Sequence, residues 1–156
     1  MNLRPALDTD APAIAAIYSH YILTTTISFE EDAVDSAEIV RRKAAVQAAG
    51  LPYLVAENAG EVVGYAYATP WRARPAYRTS VETSVYVREG MGGRGVGASL
   101  YRLLLAQLRD TGYHMAIGGI AQPNAASVAL HEKCGFTKVA HFREVGRKFG
   151  RWVDVA

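Results

Sequence analysis

Apolar residues recur at three- and four-residue intervals in "DAPAIAAIYSHYIL", where Ile14, Ile17, Tyr18 and Tyr21 fall on one helical face. Asp10 stands at the capping position and Pro12 in the first turn. "DSAEIVRRKAAVQAAG" predicts a second helix, with Asp35 and Glu38 spaced as a capping box and Gly50 as the stop. The pattern then changes. "PYLVAEN", the turn "NAGE" and "VVGYAYATP" read as a β-hairpin. Residues 2–6 and 81–88 read as strands, 94–110 as a helix, "HMAIGGIA" as a strand and "NAASVALHEKC" as a helix. "TKVAHFREV" and "RWVDV" read as closing strands, "TTTISFEED" as an extended or looped stretch, and "WRARPAYR" as a basic aromatic loop. Strands dominate and helices are inserted among them. That predicts an α+β fold, a mixed α/β sheet rather than a series of identical βαβ units.

Composition narrows the class. A chain of 156 residues, half of them hydrophobic and 21% charged, fits one domain over residues 1–156 with a real core. No apolar run approaches the roughly 18 residues of a membrane span, and "MNLRPALDTD" carries no signal-peptide core. The single cysteine, Cys134, excludes an intrachain disulfide and fits a reducing, cytoplasmic setting. A net charge of +2 gives no argument for a nucleic-acid partner.

The densest chemical signal is "GMGGRGVG", Gly90 to Gly97, between a strand and a helix. Successive backbone N–H groups and a helix N-terminus make an anion-binding concavity, and missing Cβ atoms let phosphate approach. A Walker A loop fits at Gly92, Gly97 and Ser99, but Ala98 occupies the lysine position. The dinucleotide fingerprint fits at Gly90, Gly92 and Gly95, but the next strand ends without the acidic residue that would hold a ribose. The glycines alone also suit a flexible surface turn.

The surrounding sequence bears on that choice. "VYVREGMGGRGVGASLYRLLLAQL" followed by "NAASVALHEKCGF" resembles the acetyl-CoA half of a GNAT acetyltransferase. With "ATPWRARPAYRTSVETSVYV" and "GRKFGRWVDV", the chain resembles the phosphinothricin and methionine sulfoximine N-acetyltransferase subfamily over nearly its whole length. The Arg or Gln that opens the family's pyrophosphate motif falls on Gly92, with Arg94 two residues on. The family also carries a longer last strand after the segment matching "RWVDV".

The resemblance implies a fold with a central twisted mixed sheet flanked by helices, acetyl-CoA as cosubstrate, no metal, and a small-molecule amine as acceptor. It places the pyrophosphate on Gly92, Gly93, Arg94, Gly95, Val96, Gly97 and Ala98, and the pantetheine arm along Val85, Tyr86 and Val87. Asn124, which also reads as a helix cap, and Lys133 are implied CoA contacts. Glu82 reads from alternation alone as a solvent-facing strand residue; the resemblance makes it the general base. An α-amine is mostly ammonium at pH 7, and a partly buried carboxylate can take its proton directly or through one water. "HEKCG" is not a zinc motif, because position 135 is glycine. His131 reads as a core or surface histidine, or as a group assisting the CoA thiolate or the substrate.

Phe29, Trp71, Arg72, Arg74, Tyr77, Thr83 and Lys148 complete the candidate acceptor site. An arginine fork there suits an α-carboxylate. In the resembling family the segment matching "REVGRKFGRW" helps complete a neighbouring subunit's pocket, which implies a homodimer. Rival readings are an acetyltransferase for another amino acid, a polyamine or a peptide N-terminus, and a CoA-binding sensor without turnover.

Overall fold

The computed structural model describes residues 1–156. Its elements run β1 (Asn2–Pro5), α1 (Ala11–Thr24), α2 (Ser36–Ala48), β2 (Tyr53–Asn58), β3 (Glu61–Pro70), β4 (Ser80–Val87), α3 (Val96–Asp110), β5 (Met115–Ile117), α4 (Ala125–Lys133), β6 (Phe142–Lys148) and β7 (Arg151–Val155). β1 to β5 form one sheet in sequence order, antiparallel except for the parallel β4–β5 pair; β6 and β7 form a separate hairpin. The fold is α+β with a mixed sheet, as the hydrophobic pattern predicts. No helix is long and apolar enough to cross a membrane.

Alternation along β3 assigns the two faces. Tyr65 and Tyr67 stack with Tyr53 and Tyr86 beneath α1, with Tyr53 and Tyr67 centroids 4.9 Å apart and Tyr65 and Tyr86 5.4 Å apart. Gly64 points the other way, where a Cβ would stand 2.9 Å from Val96 Cγ1, so glycine lets α3 lie close against the sheet.

The functional feature of the fold is a split. β4 and β5 pair only at Ser80–Met115, Val81–Ala116 and Glu82–Ile117. Beyond Ile117 the chain turns away through Gly118 and Gly119. A Cβ on Gly118 would lie 2.7 Å from His131 Nε2, so the imidazole occupies the space that a side chain would need. The continuation pairs with β7 instead: Ile120 and Ala156 exchange hydrogen bonds of 2.8 and 2.9 Å, and Gln122 N–H donates to the Asp154 carbonyl. The edge of β4 from Thr83 to Val87 is left without a strand partner on that side. The strand expected over 114–121 is therefore two short pieces serving different partners.

Two further expectations are corrected. Asp10 does not cap α1. Its carboxylate accepts two hydrogen bonds from the Arg4 guanidinium, at 2.8 and 2.9 Å, and one from Leu7 N–H, because a charge-assisted fork outcompetes single helix amides. The pair holds the Asp10 carboxyl below its usual range. The strand expected from residue 137 begins only at Phe142, where the chain reaches β7 and finds backbone to pair with.

Candidate active site

Split and glycine loop adjoin. α3 opens at Val96 after Gly95, which sits at φ 80° in the left-handed region that a side chain disfavours. Gly90 and Gly93 share that conformation, at φ 81° and 74°. None of the backbone N–H groups from Gly92 to Ala98 donates to an acceptor in the chain; the first to do so is Ser99, onto Gly95 at 3.0 Å. Seven successive donors thus lead into a helix N-terminus beside the end of the β4 edge, where a Cβ on Gly97 would lie 3.6 Å from Val87 Cγ2. Arg94 is exposed on the same loop. Gly97 is buried where α3 meets α4: a Cβ there would approach Leu130 Cδ2 to 3.0 Å.

From this loop the β4 edge runs back to Glu82, the last residue paired with β5. A cleft of about 540 Å³ follows that edge, lined by Glu82, Thr83, Val85 and Tyr86 on one side and Gly119 to Ala121, Asn124 and His131 on the other. The buried Thr83 Oγ1 has no hydrogen-bond partner. Tyr21 donates to the Val87 carbonyl at the far end of the edge. Asn124 caps α4, its Oδ1 accepting Ser127 N–H at 3.1 Å, and Lys133 is exposed at the other end of that helix.

His131 is buried, and its two ring nitrogens are committed. Nδ1 lies 2.7 Å from the Ser127 carbonyl and must carry the proton; Nε2 accepts from the Tyr101 hydroxyl at 3.1 Å. Burial pushes its pKa below the ordinary value, favouring this neutral form. A neutral imidazole so arranged has no proton aimed into the cleft. Tyr101 borders the cleft beside it, its hydroxyl committed to His131 and its own ionisation pushed up by burial. In the sequence Tyr101 is hidden among the apolar positions of α3.

The end of the cleft beside α1 contains residues that motif spacing does not reveal. Tyr18, Ser28 and Glu30 line it with Phe29. Tyr18 donates to Glu30, and Arg42 of α2 grips the same carboxylate through two bonds of 2.7 and 2.8 Å. Arg42, then burial and Tyr18, set the Glu30 carboxyl, with a net shift below its usual range. Burial, followed by Glu30, pushes the Tyr18 phenol up to about 12.

Four candidate residues stand apart. Trp71, Arg72, Arg74 and Tyr77 lie on the exposed connection between β3 and β4 and do not line this cleft. Trp71, Arg72 and Tyr77 form their own cluster, with the Arg72 guanidinium 5.1 Å from the Trp71 ring centroid and 6.0 Å from that of Tyr77. Lys148 is a correction. It is 2% exposed and its ammonium points inward, donating to the carbonyls of Ile22 at 2.6 Å and Ser28 at 2.7 Å, so it has no free face for a substrate.

Comparison with known proteins supports this geometry. The family described as acetyltransferase (GNAT) domain matches residues 3–156. The chain is 46% identical to a phosphinothricin N-acetyltransferase from Alcaligenes faecalis, over 98% of this chain and 78% of the relative. It is 40% identical to an L-methionine sulfoximine/L-methionine sulfone acetyltransferase from Salmonella typhimurium, over 99% and 91%. Among solved structures, a Brucella melitensis protein described as a ribosomal-protein-alanine N-acetyltransferase superposes with a TM-score of 0.97 at 39% identity, covering 99% of this chain and 96% of that one. A Sinorhizobium meliloti phosphinothricin acetyltransferase in complex with acetyl-CoA superposes at 0.95 and 35%, covering 99% and 84%. Split sheet, glycine-loop amides and sequence similarity agree: the chain belongs to the GNAT acetyltransferase family.

Proposed function

We propose that the protein moves acetyl from acetyl-CoA to the α-amine of a small amino-acid-like acceptor of the phosphinothricin, methionine sulfoximine or methionine sulfone type, by direct attack of the amine. The enzyme class follows from the family: an acetyl-CoA-dependent N-acetyltransferase. The observation that carries the reading is the junction at residue 82. From there the unpaired β4 edge, open to the pantetheine amides, runs from the Glu82 carboxylate in the cleft to Val87, beside the glycine loop with its unpartnered amides for a pyrophosphate.

The reactive thioester supplies the hard chemistry; the chain supplies orientation and electrostatics. Gly92 to Ala98 hold the pyrophosphate on backbone N–H groups, without the arginine or glutamine that opens the family's motif. A backbone N–H of the Thr83–Val87 edge polarises the acetyl carbonyl. Glu82 takes the proton of the acceptor ammonium. The CoA sulfur leaves as thiolate past a wall that includes Tyr101 and His131, whose shared proton lies between the two side chains. An acceptor α-carboxylate that reaches past the cleft to the exposed β3–β4 connection meets Arg72 and Arg74 there.

We also read the β6–β7 hairpin as a two-fold interface, supported by exposed Phe142, Val145, Phe149 and Trp152. Sedimentation of the purified chain tests it. The substrate reading is tested by thiol release from acetyl-CoA with phosphinothricin, methionine sulfoximine, methionine sulfone, ordinary amino acids, spermidine and an N-terminal alanyl peptide. Preference for the first three is expected. Preference for the peptide, which the Brucella neighbour's description makes the second reading, would replace the acceptor, and no thiol release with any amine would leave the sensor.

A further inference from the structure

One wall of the acceptor half is the strap between α1 and α2, residues 25–35, which contributes Ile27, Ser28, Phe29 and Glu30 to the cleft. It belongs to no helix or strand, and from Thr26 to Val34 it makes no backbone–backbone hydrogen bond. A segment so poor in backbone pairing keeps its shape only through side chains from elsewhere. Some of these are local: Tyr18 and Ser19 of α1 and Arg42 of α2. The others come from β6, 120 residues away in sequence.

Two features of β6 meet the strap. The Lys148 ammonium donates to the Ser28 carbonyl inside the strap and to the Ile22 carbonyl in the last turns of α1, joining the two. It also lies 5.0 Å from the Phe149 ring centroid. No carboxylate is in salt-bridge contact with it, and its direct partners are two carbonyls, with Glu31 and Glu30 acting from farther off, an arrangement an apolar residue would replace at lower desolvation cost. One turn of the pleat away, Gly146 leaves room for Phe29: a Cβ there would stand 2.3 Å from Phe29 Cε2. The absent side chain sets how deep the Phe29 ring sits.

We propose that β6 positions the acceptor wall, Lys148 holding the strap by its Ser28 carbonyl and Gly146 admitting the Phe29 ring, so that acceptor binding depends on two residues that never touch the acceptor. This rests on the reading that the cleft beside Glu82 takes the amine. Lys148 and Gly146 are positioning residues, and their signature is an effect on acceptor KM separate from donor binding.

The experiment measures steady-state kinetics with the best acceptor of the panel, together with the rise in Tm caused by acetyl-CoA, for wild type, Lys148→Met, Lys148→Arg and Gly146→Ala. Lys148→Met should raise acceptor KM by about 10-fold or more, the worth of a charge-assisted hydrogen bond. It should leave kcat within about threefold and the acetyl-CoA-induced Tm shift unchanged. Lys148→Arg, which keeps the charge and donors, should recover most of the loss. Gly146→Ala should raise KM through Phe29, and decides the matter if Lys148→Met does not fold. Unchanged acceptor KM in the folded variants, or a parallel loss of kcat and of the acetyl-CoA shift, overturns the proposal. A wild type that acetylates no amine overturns the functional reading and this inference together, whereas an active wild type with unmoved variants overturns only the inference.

Discussion

In the function proposed above, the donor and acceptor halves of the site recognise by different means. The donor half is backbone: the amides of Gly92 to Ala98, the unpaired edge of β4 and the N-terminus of α3. The acceptor half is side chain: Tyr18 from α1, Phe29 and Glu30 from the strap, Tyr67 from β3 and Glu82 from β4, held from behind by Arg42 and Lys148. A pyrophosphate offers the same charged oxygens in every acetyl-CoA, so any sequence giving the right backbone path serves. An acceptor must be distinguished from other amines, and only side-chain shape and charge can do that. The electrostatics differ accordingly. N–H dipoles converge on the donor half, whereas Glu30 and Glu82 face the acceptor half with no lysine or arginine among the cleft-lining residues.

The most severe way to break this contrast is to spoil the donor backbone. Gly95→Glu should abolish the rise in Tm caused by acetyl-CoA, and with it thiol release, because it sets negative charge among the amides. Gly95→Ala separates charge from strain. At φ 80° alanine costs about 1–2 kcal/mol of backbone energy, yet it should still bind acetyl-CoA measurably. An unchanged shift in folded Gly95→Glu would take the loop out of the site.

Next in size is Glu82→Gln, which should lower kcat at pH 7 by about 10²–10⁴-fold and barely change acetyl-CoA binding. The rate should partly recover at high pH, where more of the acceptor amine is already neutral. Wild-type kcat at saturating acceptor, with KM alone raised, would make Glu82 a binding residue.

Smaller again, converting the acceptor α-carboxylate to the amide should cost roughly 10- to 150-fold in kcat/KM, the range of a lost charge-assisted contact. Equal efficiency for acid and amide would take Arg72 and Arg74, on the β3–β4 connection, out of acceptor recognition.

The smallest effect is on stability. Burial holds the His131 imidazole below 6.5, so as pH falls the unfolded chain takes up the proton first and the folded state loses stability below about pH 6.5. Tm should drop between pH 7 and pH 5, and His131→Gln should flatten that part of the profile. An unaltered slope would show that the ring titrates alike in both states and weaken the neutral tautomer behind Tyr101.

Contiguous residues carry the helices, the β2–β3 hairpin and the glycine loop, because each depends on local spacing or local backbone conformation. Hydrophobic spacing set α1 to α4, and Gly90, Gly93 and Gly95 are glycines where the backbone takes positive φ. Glu82 and His131 stand out in the sequence only through the family resemblance, and the commitment of both His131 nitrogens is not visible there. That depends on Tyr101 meeting it across 30 residues. The split itself was not legible. "HMAIGGIA" reads as one strand, and only the capture of Ile120 and Gln122 by the end of β7 makes it leave β4 at Ile117. The acceptor half was least visible. Lys148 resembled a free surface cation in a basic run, and Tyr18, Glu30 and Arg42 looked like ordinary helix and loop residues. Spacing along a chain reports which residues share a helix or a strand face. It carries no signal for an ammonium that enters from β6 to hold a strap between two helices, because that contact exists only once distant elements have packed and excluded the water that would otherwise solvate the charge.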